Sequence, residues 1–130
     1  MGVGILIVSH PGIGAPLLAV ARRLLGAFPL ATEAFEADWD SDADSLLPAA
    51  SAALRKVDGG DGVLMLVDLY GATPARLAEK LSRLGTPSHR VSGLSLPMLL
   101  RVQNYPEQDL DELCRTAAAG ARNGVVVDDA

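Results

Sequence analysis

Apolar residues along the chain form two kinds of pattern, short continuous runs and longer stretches with helical spacing. The runs GVGILIVS (residues 2–9) and GVLMLVD (62–68) are continuous and rich in β-branched residues, which is typical of strands buried on both faces of a parallel sheet. LATEAFEA (30–37) alternates apolar and polar residues, as an edge strand does. Weaker patterns predict strands in HRVSGLSLP (89–97) and in the C-terminal VVVDD (125–129).

Four amphipathic stretches lie between these runs and predict helices. They are residues 15–28, 40–57, 73–85 and 110–124. Gly26 and Gly85 mark helix ends, Pro74 stands at a helix start, and Pro48 is best tolerated in a first turn. Strands that alternate with helices predict an α/β fold: one doubly wound domain over residues 1–130, with a mostly parallel sheet and helices on both faces.

Composition narrows the classes of function. Hydrophobic residues make up 49% of the 130 residues and charged residues 21%, as in a soluble globular protein. The net charge of −5 leaves no basic stripe for nucleic acid. Cys114 is the only cysteine, which fits a reducing compartment, and the N-terminal apolar run is too short to insert into a membrane. We therefore expect a cytoplasmic protein.

The two most apolar strands end in polar residues. VSHPG places His10, and LVDLYGATP places Asp68, at the carboxyl end of a strand, where α/β sheets bind ligands. A carboxylate beside an imidazole fixes its tautomer and leaves the other nitrogen free as a nucleophile or base. Taken alone, His10 could be a polar strand end and Asp68 a turn cap. Because both stand at strand ends and both are followed by loops that contain glycine, the two together favour a catalytic pair.

The loop after Asp68 predicts an anion site. Gly71 permits close approach of the backbone, and the amides of Ala72 and Thr73 lead into a helix N-terminus, where anions bind. Thr73 could donate its hydroxyl to the same anion or could serve as the helix N-cap. HPGIG has neither the glycines nor the lysine of a nucleotide-binding P-loop.

The acidic stretch DWDSDADS resembles a calcium loop in part. Asp38, Asp40 and Asp42 alternate, but Ala43 and Ala49 stand where an EF-hand needs glycine and glutamate. We expect a solvated loop that leads into a helix. The chain also lacks the histidine spacing of a zinc hydrolase and the G-x-S-x-G motif of a serine hydrolase, so no metal is expected.

Three other residues have simpler interpretations. His89 has no partner motif and is predicted to lie in an exposed turn. Cys114 falls on the apolar face of a predicted helix and belongs to the core. Met98 fills a gap in the core unless its place after Pro97 brings it to the cleft.

Three segments together resemble a known family. ILIVSHPGIG, GVLMLVDLYGATP and GLSLPMLLRV, in this order and spacing, are similar to the enzyme IIA component of the mannose-family sugar phosphotransferase system. The resemblance covers nearly the whole chain. It implies a doubly wound phosphocarrier domain, commonly a homodimer that exchanges its final strand. Gly12 departs from it, because sugar-transporting members often have a bulky residue there.

The resemblance also implies roles for the residues named above. His10 matches the histidine that takes a phosphoryl group from the small phosphocarrier HPr and passes it to a IIB protein. Asp68 matches the aspartate that orients this histidine, and Thr73 the hydroxyl beside the phosphate. No cofactor is implied, since the donor is itself a phosphohistidine. Any IIB acceptor is expected to be a separate protein.

Three functions stay open on the sequence. The chain could carry phosphoryl groups in sugar uptake, or its phosphorylation could be read by regulatory partners, or it could be a non-enzymatic module that binds an anion. The tail NGVVVDDA bears on assembly. Val125, Val126 and Val127 favour a strand, and we expect them to pair with a sheet edge, either in the same chain or in a second copy.

Overall fold

The strands and helices follow one another along the chain in the order that the apolar pattern predicts, with one additional helix and without the C-terminal strand. The computed structural model describes residues 2–129. Its elements are β1 (Gly4–Ser9), α1 (Gly14–Leu25), β2 (Thr32–Glu36), α2 (Ala43–Val57), β3 (Val63–Val67), α3 (Thr73–Leu81), β4 (Ser88–Ser92), α4 (Leu96–Gln103) and α5 (Leu110–Asn123).

The four strands form one parallel sheet in the order β2-β1-β3-β4. Side chains on one face of β1 and β3 pack against α1, α4 and α5, and those on the other face pack against α2 and α3. Both central strands are fully buried, which explains their continuous apolar sequences. The predicted parallel sheet with helices on both faces is confirmed.

The strand order creates the crevice in which the site lies. From β1 the chain moves to one side of the sheet to form β2, and it then returns across β1 to form β3. The loops that follow β1 and β3 therefore diverge at the carboxyl edge of the sheet. Ligands of open α/β sheets bind at such a reversal of strand order.

Helix α4 is absent from the prediction. Its sequence LPMLLRVQ continues the apolar run HRVSGLSLP, for which the pattern predicts a strand. A short apolar run does not distinguish a buried strand from a helix. The N-terminal signal is nevertheless present, since the Ser95 hydroxyl accepts a hydrogen bond from the Met98 amide and Pro97 lies in the first turn. The structure also places Pro48 in the second turn of α2 rather than in the first.

The predicted C-terminal strand does not form within this chain. Val125, Val126 and Val127 follow α5 without regular secondary structure and are 74%, 73% and 70% exposed. Of the two alternatives, pairing within the same chain does not hold, because the structure leaves these valines unpaired with either edge strand, β2 or β4. Pairing with a second copy remains a prediction. None of the helices within residues 2–129 has the length and apolar character needed to cross a membrane.

Candidate functional site

The pairing of β1 with β3 brings the two predicted catalytic residues together. Val8 lies opposite Val67 in the parallel register, and His10, two residues after Val8, and Asp68, the residue after Val67, emerge side by side in the crevice. A backbone hydrogen bond of 3.3 Å from the Asp68 amide to the Val8 carbonyl extends the pairing to this point. The sheet itself therefore fixes the distance between the imidazole and the carboxylate.

One carboxylate oxygen holds His10 at two atoms. Asp68 Oδ2 lies 2.7 Å from His10 Nδ1 and accepts a hydrogen bond of 2.9 Å from the His10 backbone amide. The carboxylate can only accept, so Nδ1 carries the proton and the lone pair of a neutral ring is on Nε2. Nε2 has no hydrogen-bond partner among residues 2–129. The geometry thus presents Nε2 as a nucleophile.

The Asp68 side chain is buried, and His10 is the only residue that its carboxylate contacts by hydrogen bonds within residues 2–129. The aspartate side chain is 7% exposed and that of His10 is 19% exposed. The second oxygen, Asp68 Oδ1, is buried and makes no hydrogen bond within the described chain. A buried carboxylate with one engaged oxygen gains stability when its partner becomes positive. The pair is therefore suited to a reaction that places positive charge on the ring.

The loop between His10 and α1 is held by two polar side chains. Ser9 Oγ donates to the His10 carbonyl (2.8 Å) and accepts from the Gly14 amide (2.9 Å). Glu36 accepts from the backbone amides of Gly12 (3.1 Å) and Ala15 (2.9 Å). The amides of Gly14 and Ala15 at the start of α1 therefore already have side-chain acceptors, which makes this helix start a poor anion site.

Helix α3 begins differently. Its N-cap is Ala72, which has no side chain able to accept a hydrogen bond, and Gly71 adopts a left-handed backbone with φ of +86°. The N-terminal amides of α3 have no side-chain acceptor in the part of the chain that the structure describes, whereas α2, α4 and α5 begin with Asp42, Ser95 and Asp109 as caps. Uncapped N-terminal amides attract anions.

Thr73 is the first residue of α3, so the alternative that it serves as the N-cap does not hold. Its hydroxyl oxygen accepts a hydrogen bond of 2.9 Å from Arg76 Nη2, and Arg76 Nη1 donates to the Gly71 carbonyl at 3.3 Å. Because Arg76 engages an oxygen lone pair, the hydroxyl proton of Thr73 can donate to another acceptor. Gly71, Ala72 and Thr73 all follow Asp68 at the carboxyl edge of the sheet.

An aromatic side chain that sequence reasoning missed lies against His10. The ring centroid of Trp39 is 5.0 Å from that of His10, and the two planes are inclined by 30°. Trp39 lies in the loop after β2, and β2 pairs with β1, so this loop opens at the same edge of the sheet. The sequence holds one indication of this contact, a single tryptophan shortly after the end of β2, at the sheet edge where ligands bind.

The acidic loop has a structural role. Asp42 caps α2 by accepting from the Ser45 amide (2.8 Å), and this hydrogen bond lowers the pKa of Asp42. Asp38 accepts a hydrogen bond of 3.1 Å from the Ser41 hydroxyl. No cluster of metal-binding side chains occurs within residues 2–129, and these aspartates form none.

The remaining predicted residues lie outside the site. His89 is in strand β4, not in a turn, and its Nε2 lies 2.5 Å from the carboxylate of Asp111. Met98 is fully buried in the core and does not reach the crevice. Cys114 is half-buried against the same core, and burial, with a smaller effect of the Asp111 charge, raises the pKa of its thiol.

Comparison with known proteins identifies relatives along most of the chain. The sequence profile of a family described as the PTS system fructose IIA component matches residues 4–117. The mannose-specific EIIAB component of the PTS system from Escherichia coli K12 is 30% identical over 132 aligned positions, which cover 96% of this chain and 39% of that protein. The transcriptional regulatory protein LevR of Bacillus subtilis is 32% identical over 109 positions, covering 79% of this chain and 11% of LevR. The chain thus spans well under half the length of these curated relatives.

Solved structures share the fold. The mannose/sorbose-specific IIA subunit from Enterococcus faecalis superposes with a TM-score of 0.87 at 22% identity, covering 100% of this chain and 97% of that one. The PTS component EIIA from Streptococcus agalactiae gives a TM-score of 0.80 at 22% identity, with 96% of each chain covered.

Proposed function

Because the chain belongs to the mannose-type family of PTS IIA components, we propose that it is a phosphoryl carrier that accepts and donates its phosphoryl group at His10. The observation that carries the proposal is the 2.7 Å contact of His10 Nδ1 with Asp68 Oδ2. This contact keeps the Nδ1 proton in place and leaves Nε2 as the nucleophile. The donor in the proposal is phosphorylated HPr, and the acceptor is a IIB protein.

The transfer needs one bond to form and one to break. The Nε2 lone pair attacks the phosphorus of the donor's phosphohistidine, and the phosphorus–nitrogen bond of the donor breaks, returning its electron pair to the donor ring. The His10 ring gains positive charge as the new bond forms, while the Nδ1 proton stays hydrogen-bonded to Asp68. The reverse sequence delivers the phosphoryl group to the acceptor. Asp68 stabilises the charged ring in both directions.

The start of α3 supplies the second half of the proposed site. The phosphoryl oxygens carry negative charge, and the amides of Gly71, Ala72 and Thr73 stand at a helix N-terminus that lacks a side-chain cap. The Thr73 hydroxyl, which accepts from Arg76, adds a donor. This arrangement supports a site for a transferred phosphoryl group.

Phosphorylation in vitro distinguishes this function from a module that only binds anions. Incubation with enzyme I, HPr and labelled phosphoenolpyruvate should label the chain, and the label should be labile in acid and stable in base, as a phosphoramidate is. An anion-binding module would take no covalent label. Addition of a IIB protein should then remove the label. Sugar uptake and a regulatory role both require this transfer, so labelling does not separate them. Adjacent genes for IIB and membrane components would favour uptake.

Removal of the Thr73 hydroxyl tests the phosphate site. Thr73→Val should slow phosphoryl transfer by about three- to tenfold, because one hydrogen bond to the phosphoryl group is lost. Rapid-quench kinetics with phosphorylated HPr measures the effect. Thr73→Ser should restore most of the rate, and Thr86→Val, in the loop before β4 at the opposite sheet edge, should leave it unchanged. Equal rates for Thr73→Val and the parent chain would show that the hydroxyl does not bind the phosphoryl group.

The C-terminal valines support a homodimer. Val125, Val126 and Val127 expose three consecutive β-branched side chains, and the sheet has two edge strands, β2 and β4. Pairing of the tails with the sheet of a second copy would bury this surface and cover an edge. Sedimentation equilibrium should therefore give a dimer for the intact chain and a monomer for a chain truncated after Asn123.

A charge substitution tests the same interface in the intact chain. Val126→Lys should weaken the dimer, whereas Val20→Lys, at an exposed position on α1, should not. A monomeric parent chain, or a truncated chain that dimerises as tightly as the intact one, would refute this mode of assembly.

A further inference from the structure

The position of Trp39 is not explained by burial. This residue is the only tryptophan of the chain and is 70% exposed, so it contributes little to the core. Its ring nevertheless stands 5.0 Å from the ring of His10, with the planes inclined by only 30°. Offset arrangements of rings at this separation are attractive. The contact with the His10 ring is therefore the main interaction that this indole makes.

The loop that carries Trp39 is held in place at both ends. At its start, the Ala37 amide donates to the last carbonyl of β1 at 2.8 Å. Next to Trp39, Ser41 donates to Asp38 through its hydroxyl (3.1 Å) and through its amide (3.3 Å), and Asp42 then caps α2. The acidic residues that resemble a calcium loop thus build a turn. This turn presents the indole to the crevice.

We infer that Trp39 is a positioning residue for His10, a role that rests on the phosphoryl transfer proposed above. Asp68 restrains the imidazole through Nδ1, and no other hydrogen bond within residues 2–129 reaches the ring. The indole restricts motion of the ring, since it lies against one of its faces. Transfer requires the Nε2 lone pair to point at phosphorus from about 3–3.5 Å, so a fixed ring plane raises the rate.

The indole also matches the charge of the phosphorylated ring. When Nε2 bonds to phosphorus and Nδ1 keeps its proton, the ring becomes positive. The negative face of an aromatic ring within about 6 Å stabilises such a cation. Asp68 at the ring edge and Trp39 at the ring face then both stabilise the positive charge of the phosphorylated His10 ring.

Single-turnover kinetics separates positioning from partner docking. At saturating phosphorylated HPr, Trp39→Ala should lower the maximal transfer rate about two- to tenfold and leave the half-saturating concentration of HPr unchanged. Trp39→Phe should restore most of the rate, because an aromatic face remains. Leu24→Ala removes an apolar side chain that is 60% exposed on α1, away from the site, and serves as the matched control.

The ring contact itself has a spectroscopic signature. In NMR spectra of the unphosphorylated chain, the carbon-bound protons of the His10 ring should be shifted by the ring current of Trp39. The shift should disappear in Trp39→Ala and persist in part in Trp39→Phe. This readout does not depend on phosphoryl transfer.

The outcomes distinguish the two proposals. A parent chain that takes no label from phosphorylated HPr would refute the phosphocarrier function, and the positioning role with it. A parent chain that is labelled normally, with an unchanged maximal rate in Trp39→Ala, would overturn the role of Trp39 alone. So would a variant in which only the half-saturating concentration rises, because that result would make Trp39 a docking contact. Unshifted His10 protons in the parent chain would equally refute the ring contact.

Discussion

His10→Ala should abolish phosphorylation of the chain by phosphorylated HPr. The substitution removes Nε2, which is the only atom of the crevice that the structure presents as an unprotonated nitrogen nucleophile within residues 2–129. Neither Asp68 nor Thr73 can replace it, because transfer between histidines depends on the matched stability of two phosphoramidates. Label incorporation from phosphoenolpyruvate measures the effect, and it should fall below detection.

The second histidine of the chain provides the control for His10→Ala. His89 also lies beside a carboxylate, that of Asp111, but on strand β4 and 46% exposed. His89→Ala should therefore accept label at the parent rate. The fold should survive in both variants, because neither histidine belongs to the buried core. Label that remains on His10→Ala at the parent rate would assign the phosphoryl group to a different residue.

Asp68→Ala should slow phosphoryl transfer by about tenfold to a thousandfold. The substitution removes the acceptor for the Nδ1 proton and for the His10 amide, so the ring loses both its tautomer preference and its orientation. It also removes the negative charge that stabilises the ring during transfer. Rapid-quench kinetics at saturating phosphorylated HPr measures the rate.

Two further variants define what the Asp68 carboxylate supplies. Asp68→Asn keeps the shape and removes the charge, and we expect it to remain at least about tenfold slower than the parent. Asp111→Asn changes the other aspartate that contacts a histidine and should have no effect. If Asp68→Ala transfers phosphate as fast as the parent chain, the carboxylate is only a turn cap.

The features that were predictable from the sequence are those fixed by strong local patterns. The buried strands β1 and β3 have continuous apolar sequences, and glycine, proline and cap residues mark most helix ends. Because parallel strands end at one edge, the position of His10 beside Asp68 also followed from the pattern. The distance of 2.7 Å between His10 Nδ1 and Asp68 Oδ2 depends on the register in which β1 pairs with β3. No sequence pattern specifies that register.

Features that depend on tertiary contacts were not predictable. Helix α4 continues an apolar run, and only the cap at Ser95 marks where it begins. Trp39 reaches His10 through a loop whose path depends on side-chain hydrogen bonds of aspartates, for which the sequence predicts only a solvated loop that leads into a helix. Valines after α5 favour a strand by intrinsic preference, yet the single chain provides no partner for them in the described structure.

The position of the phosphoryl group on the ring shows whether His10 Nε2 is the nucleophile. NMR spectra of the chain labelled with nitrogen-15 and phosphorylated by HPr resolve the two nitrogens of each histidine through their couplings to ring protons. We expect one phosphorylated histidine, His10, with phosphorus bonded to Nε2 and a proton retained on Nδ1. A phosphoryl group on Nδ1 of His10, or on His89, would show that His10 Nε2 is not the nucleophile.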